Sequence, residues 1–431
     1  MKHPFHLVLC DEDGQRLFAS VKNHLQVFEL KTGKVLGSWV DEEDYTTPLK
    51  KQQKEKIEAL KSKEGNKDAI SLKKLKLNEE KPIKVPKIPV PGPGAPQIYN
   101  TIRSLSLSKD NRHLIITTDS DKSVVIFEIN YEQENCLHMI KRQVCPKRPC
   151  ATSIDDNKVI IADKFGDIYS IPLDSSPSLD EKNLKPLLGH VSMLSDVILT
   201  SYNGKKYIIT SDRDEHIRIS NYPNTFVIRN WLFGHHEFVS TLNIPKFEPT
   251  MLISGGGDDY LCIWNWVEEK LVSKVDLREI IEPFLNDDHL PPERFLEEDS
   301  PKEIAVSKVL TYLNPLNQRK FAFVVCENTS CIIVFEIIGF SFIRKQTFKT
   351  SHPIIDLCLI EKTGYLIGAL DTESDDKLLA FYKMNENQEL MPVENDDLVK
   401  KISTSNECNA DSRKEFYPFY HVNTLRKRSE H

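Results

Sequence analysis

Residues 210–220 read TSDRDEHIRIS, and three other stretches follow the same plan: TTDSDKSVVIF at 117–127, IADKFGDIYSI at 161–171 and SGGGDDYLCIW at 254–264. Each runs from a first strand through a polar turn into a second apolar run. In 210–220, Ile217 and Ile219 point to one side while His216 and Arg218 point to the other, which is the period of two that a strand imposes. Two such runs around a polar turn make a β-hairpin. Aligning on the first apolar residue of the second strand gives Val124, Ile168, Ile217 and Leu261, spaced by 44, 49 and 44 residues. A repeat of that length built from strands, without comparable helical periodicity, belongs to propeller blades.

Gly189-His190 and Gly234-His235 lie 45 residues apart at the openings of consecutive units, and Trp264-Asn265 closes one unit in the place of a Trp-Asp pair. These are WD-repeat marks. A buried His that meets a carboxylate, with Ser or Thr and Trp nearby, satisfies polar groups inside a blade and pins its turn. His190, His235, Trp264 and the turn acids Asp121, Asp214 and Asp258 are therefore read as scaffold. Weaker units fill the rest, as in LFASVKNHLQVFEL (17–30), FAFVVCENTSCIIVFEI (321–337) and LIGALDTESDDKLLAFY (366–382). The expected fold is an all-β WD-repeat propeller of about seven four-stranded blades. Its first blade occupies 1–40, and the other blades 98–425, with a long connection at 276–302 between the fifth and sixth. In that connection a short helix should end before Pro291-Pro292. The tail EFYPFYHVNTLRK (415–427) is expected to help close or cap the ring, leaving 426–431 as the terminal residues.

Between the first two blades, 41–97 reads as a flexible Lys/Pro-rich insert. From Pro48 to Lys87 there are 13 Lys against 6 Asp or Glu, a balance of 13 − 6 = +7, so the remainder of a chain of net charge −7 carries −7 − 7 = −14. No aromatic residue occurs from Thr46 to Ile98, and the stretch ends in KPIKVPKIPVPGPGAP. Such a segment buries too little to order itself. Its lysines suit either a solvated linker or a phosphate-contacting arm.

Composition and motifs narrow the function classes. The longest apolar runs, such as Cys331–Phe335, fall far short of a membrane span, and the short run Phe5–Cys10, followed by three acids, does not make an export signal. Nine cysteines without a CxxC spacing suggest reduced thiols in the nucleus or cytosol. Ser254–Gly257 has the composition of a phosphate loop but lies between two strands, where no helix N-terminus can present its amides. His235 and His236 are adjacent, face opposite sides of a strand and cannot chelate one metal. No catalytic, cofactor-binding or metal-binding constellation emerges.

A closer resemblance rests on SDKSVVIFEI, VIIADKFGDIYSI, LLGHVSMLSDV, ITSDRDEHIRIS, FLNDDHLPPERF, EIAVSKV and YPFYHVNTLRK. With these strings the chain resembles the non-catalytic WD-repeat subunit of the nuclear tRNA (guanine-N7-)-methyltransferase of fungi. The resemblance implies a scaffold in the nucleus, paired as a heterodimer with a separate catalytic subunit. That subunit would hold S-adenosylmethionine and methylate a guanine in the tRNA variable loop, so this chain needs no cofactor. It also implies docking near Lys164 and Arg213, turn bases of consecutive blades, and at Arg218, which matches a basic residue that the family uses in an ion pair with the enzyme. Bases in KRQVCPKRPC, namely Lys141, Arg142, Lys147 and Arg148, are candidates for assisting tRNA through the complex. The alternative is a generic WD-repeat interaction hub in another nuclear complex, told apart by whether a methyltransferase copurifies stoichiometrically.

Overall fold

Seven antiparallel sheets of four strands follow one another along the chain, and in every sheet the spatial order of the strands is their order in sequence. Blade 1 spans 7–40, blade 2 102–144, blade 3 149–189, blade 4 194–232, blade 5 239–276, blade 6 306–349 and blade 7 354–393. This computed structural model describes residues 1–43 and 100–428. Most of the segment read as a flexible insert, and the last three residues of the tail, lie outside the described residues.

Blades pack side by side around the ring, so both faces of a blade's middle strands are covered. That is why second strands such as His113–Thr118 and third strands such as Ser123–Ile129 are buried almost throughout, instead of alternating between core and water. The first strand of each blade lines the centre. In blades 4, 5 and 6 its pairing slips by one residue at Ser195, Ser240 and Ser307. A bulge of this kind re-aims the side chains around it. Ser195 donates to the carbonyl of Val239, and Ser240 to that of Val306, so each hydroxyl ties its blade to the next. Carboxylates on the same strands do likewise. Asp196 accepts the N–H of Leu242 in blade 5 (2.8 Å), and Asp356 in blade 7 accepts the N–H of Val8 in blade 1 (2.9 Å).

The seam between blades 7 and 1 is thus stitched like any other, without a shared strand. Phe5, just before blade 1, and Leu17 and Phe28 of that blade pack with Ile367, Leu379 and Phe381 of blade 7, and the helix Asp396–Thr404 adds Val399 and Ile402 to the same cluster. Beyond that helix the chain returns to its beginning, where His3 N–H donates to Cys408 O (3.0 Å) and Asn406 Nδ2 to His3 O (2.7 Å).

From there the tail crosses the face of the ring that carries the turns between second and third strands. Tyr420 Oη donates to Asp371 of blade 7 (2.9 Å), and the N–H groups of His421, Val422 and Asn423 converge on the Glu327 carboxylate of blade 6 at 2.6–2.8 Å. Arg426 donates to Gly257 O and Ile304 O (2.7 and 3.0 Å), and Arg213 Nε of blade 4 donates to Leu425 O (2.8 Å). The tail is a cap that spans four blades. In the connection between blades 5 and 6 the helix is a single turn, Arg278–Ile281, succeeded by 3₁₀ turns at Glu282–Phe284, Asp287–His289 and Glu293–Phe295. Among the described residues, no helix is long and apolar enough to cross a membrane.

Candidate docking surface

In blade 5, His235 Nδ1 meets Asp258 Oδ2 (2.7 Å), its Nε2 meets Ser254 Oγ (2.7 Å), and Trp264 Nε1 donates to the same hydroxyl (2.8 Å). All four side chains are buried. Burial opposes the charge on Asp258, yet the hydrogen bond from His235 and those of nearby groups outweigh it and hold the carboxyl below its usual range. This is scaffold chemistry: the groups satisfy one another and leave nothing to react.

Blade 4 corrects the expectation for Asp214. There His190 Nδ1 meets Asp212 Oδ2 (2.8 Å) and its Nε2 meets Thr210 Oγ1 (2.7 Å), while Asp214 takes Ser192 Oγ (2.6 Å) and Lys427 Nζ (2.7 Å) at the half-exposed rim. The reason lies two residues earlier. Asp212 aligns with Gly256, where a Cβ would stand 1.7 Å from Phe238 O; blade 5 cannot carry a side chain there and must bring its acid from Asp258. In blade 2, Asp121 holds Arg142 (Nε and Nη2, each 2.8 Å).

On the capped face, the turns of blades 3 and 4 and the loops entering them surround a pocket of about 670 Å³. Lys122, Lys147, Arg148, Lys164, Arg213 and Lys427 supply six cations to its wall, against the single carboxylate of Asp214. Lys122 is paired with Glu181 (3.3 Å) and Lys427 with Asp214. Among the described residues, Lys147, Arg148 and Lys164 meet no carboxylate. Burial lowers the pKa of the Lys164 ammonium, and the neighbouring Arg103 and Arg148 add to the shift. Beside these cations lie apolar side chains that a lone protein has no reason to leave in water. Phe165 is 66% exposed, with Lys147 Nζ 4.1 Å from its ring centroid, and Val191 is fully exposed; at the end of blade 4, outside the pocket's lining, Phe233 is 67% exposed against His216.

The structure therefore joins Lys164 and Arg213, read as partner contacts, with Lys147 and Arg148, read as RNA contacts, in one patch. It does not place Arg218 among them, and this corrects the expectation that Arg218 offers a docking contact beside Lys164 and Arg213. Arg218 is only 6% exposed, in the seam between blades 3 and 4, where its guanidinium donates to Ser220 Oγ (2.8 Å), Gly189 O (2.9 Å) and Thr225 O (3.1 Å). Both faces of a third strand are covered, so the side chain opposite Ile217 and Ile219 is buried as well. Among the described residues no carboxylate faces it, and burial alone pushes its pKa down. Lys141 and Arg142 are also spent internally, on Pro172 O with Ser176, and on Asp121 with Asp41. Sequence reasoning missed Phe165, Val191 and Phe233. The signal was present in ADKFGD, where a phenylalanine occupies a turn that otherwise calls for polar residues.

The family model described as "tRNA methyltransferase TRM82 WD40 domain" matches residues 17–186 and 180–393. The chain belongs to the TRM82 family. A Debaryomyces hansenii relative is 55% identical and a Meyerozyma guilliermondii relative 50% identical, each alignment covering 100% of both chains. A Saccharomyces cerevisiae relative is 37% identical, over 100% of this chain and 99% of its own. All three are named tRNA (guanine-N(7)-)-methyltransferase non-catalytic subunit TRM82. Outside the TRM82 family only the fold is shared. The solved structures described as "Structure of U3-55K" and "Crystal structure of RRP9 WD40 repeats" superpose with a TM-score of 0.54 at 12% identity, covering 86% of this chain and 89% and 88% of theirs.

Proposed function

We propose that this chain is the non-catalytic subunit of a tRNA (guanine-N7-)-methyltransferase and forms a nuclear heterodimer with the catalytic subunit through the rim of blades 3 and 4. The observation that carries the reading is the patch of six cations around one carboxylate, bordered by exposed Phe165 and Val191 on a chain of net charge −7. Apolar anchors beside Lys147, Arg148 and Lys164, which meet no carboxylate among the described residues, suit a protein partner that brings carboxylates: the apolar side chains supply desolvated area, and the cations supply orientation and rate of encounter. Arg218 fits the same partner. A guanidinium that finds a hydroxyl and carbonyl oxygens but, among the described residues, no carboxylate gains most from an acid delivered by another chain. Binding only the folded enzyme raises the enzyme's stability by mass action, and this is what a scaffold contributes without any chemistry of its own. The tRNA would be reached through the complex, with Lys147 and Arg148 beside the docking rim.

Buried Arg218 is a poor first target, because reversing its charge would also disturb blade 4. Lys164 and Phe165, on the wall of the rim pocket, make the better test. Lys164→Glu with Phe165→Ser should lower stoichiometric copurification of the catalytic subunit by at least about tenfold, the equivalent of roughly 1.4 kcal/mol, while the melting temperature of the isolated chain stays within about 2 °C. Undiminished copurification overturns the docking assignment. Intact copurification with methylation that fails as salt rises would instead assign the patch to tRNA phosphates.

A further inference from the structure

The seam that closes the ring holds a feature that the proposed function does not use. Cys10 ends the first strand of blade 1, Leu7–Cys10, and Cys358 lies in the first strand of blade 7, Ile354–Ile360. Their sulfurs are 3.0 Å apart, and both residues are buried. A disulfide has a sulfur–sulfur bond of about 2.05 Å, so about 1 Å of approach separates this contact from a covalent bond. We infer that Cys10 and Cys358 are a site of oxidative modification, a thiol pair that a peroxide converts into a disulfide clasp between the first blade and the last.

Three further observations support the assignment. Both residues line a cavity of about 500 Å³ at the centre of the ring, together with Leu9, Lys308, Leu357 and Leu359, which brings a space large enough for hydrogen peroxide up to the seam. Among the described residues the seam has no shared strand; packing, hydrogen bonds and the ion pair of Lys362 with Asp13 (3.1 Å) join its two sides, and the clasp would add a covalent tie. All nine cysteines are free, which leaves this pair available. Burial raises the pKa of the Cys10 thiol, and contact with Cys358 raises it further; the resting form is the thiol, and reaction needs added oxidant. In the step itself, one thiolate attacks a peroxide oxygen to give a sulfenic acid and one water. The second thiol then attacks that sulfur and releases another water. Two thiols lose two electrons and two protons, and one peroxide becomes two waters.

The test treats the full-length chain with hydrogen peroxide, quenches the oxidant, unfolds the protein in excess iodoacetamide and measures intact mass. Of the nine cysteines, all but two should be alkylated, and digestion should release one cross-linked peptide pair containing Cys10 and Cys358. The oxidised chain should melt roughly 3–10 °C higher, an increase that dithiothreitol reverses, because the bond closes a very long loop. Cys10→Ser and Cys358→Ser should each abolish the cross-link. Full alkylation after peroxide, a linkage through any other cysteine, or a cross-linked chain that melts no higher than the reduced one overturns the inference; none of these outcomes bears on the docking of blades 3 and 4.

Discussion

Blades 4 and 5 are neighbours built to the same plan, and they use their buried polar groups in opposite ways. Blade 5 closes His235, Asp258, Ser254 and Trp264 into a self-contained network. Blade 4 keeps the histidine but draws its acid from Asp212, has Ser220 where blade 5 has Trp264, and uses that serine to hold Arg218. The regular blade spends its polar groups on its own stability. The irregular one carries a buried cation that meets no carboxylate among the described residues, and it borders the basic, apolar patch. The proposed docking of a partner at this rim would account for such a local departure from the repeat's rule.

The contrast can be broken most sharply in blade 5. Trp264→Ala removes a side chain that is 2% exposed and leaves the Ser254 hydroxyl without its indole donor; the expected loss is about 3–5 kcal/mol in denaturant unfolding. A loss below about 1 kcal/mol would show that the network is dispensable. Within blade 4, the two acids should separate. Asp212→Ala strands His190 and the backbone N–H groups of Asp214 and His216, at a cost of about 1–3 kcal/mol, whereas Asp214→Ala, which frees only rim contacts, should cost less than about 1 kcal/mol. Equal effects in thermal melts would return Asp214 to the scaffold.

A pH-dependent effect lies between the two blades. Burial pushes the Asp196 carboxyl up to about 6, against the hydrogen bonds from Leu242 and Val197. Because the folded pKa exceeds the unfolded value near 4, the folded chain retains a proton that the unfolded chain releases. The contribution to stability is therefore fullest below about pH 4 and is lost as pH rises through about 6. Asp196→Asn should flatten this slope, gaining about 1–2 kcal/mol relative to wild type at pH 7.5 over pH 4.5, less than the full shift implies because the carboxylate borders the central channel. An unchanged difference between the two pH values would show that Asp196 is ionised throughout.

The propeller itself was legible because a blade is written in consecutive residues: the spacing of Val124, Ile168, Ile217 and Leu261 follows directly from one four-stranded unit succeeding another. The blade-5 network was legible too, since its residues lie within one repeat. What could not be read were contacts between repeats. Alternation gave Arg218 a face opposite Ile217, but only the neighbouring blade reveals that this face is covered. Lys427 reaches Asp214 across the ring, a proximity that local pattern does not encode. The substitution of Asp212 for Asp214 turns on the space beside Phe238 O, a steric fact that appears only once the backbone is folded. Lys147, Arg148, Lys164 and Arg213 could be named as bases, but not as one patch.

Since no sheet borrows a strand from the far end of the chain, each blade can be completed in the order in which a ribosome delivers it, with the N-terminal part folding first. Only two features must wait for the end of synthesis: the seam, which needs the residues from Ile354 onward, and the cap, which needs those beyond Asn406. Until then the growing arc bears an uncovered face on blade 1 and another on the newest blade. The proposed docking rim of blades 3 and 4, in contrast, is largely in place half-way through translation, lacking the contribution of the tail. Arrested nascent chains that end after blade 4 should consequently show protease-resistant fragments from its strands well before the ring can close.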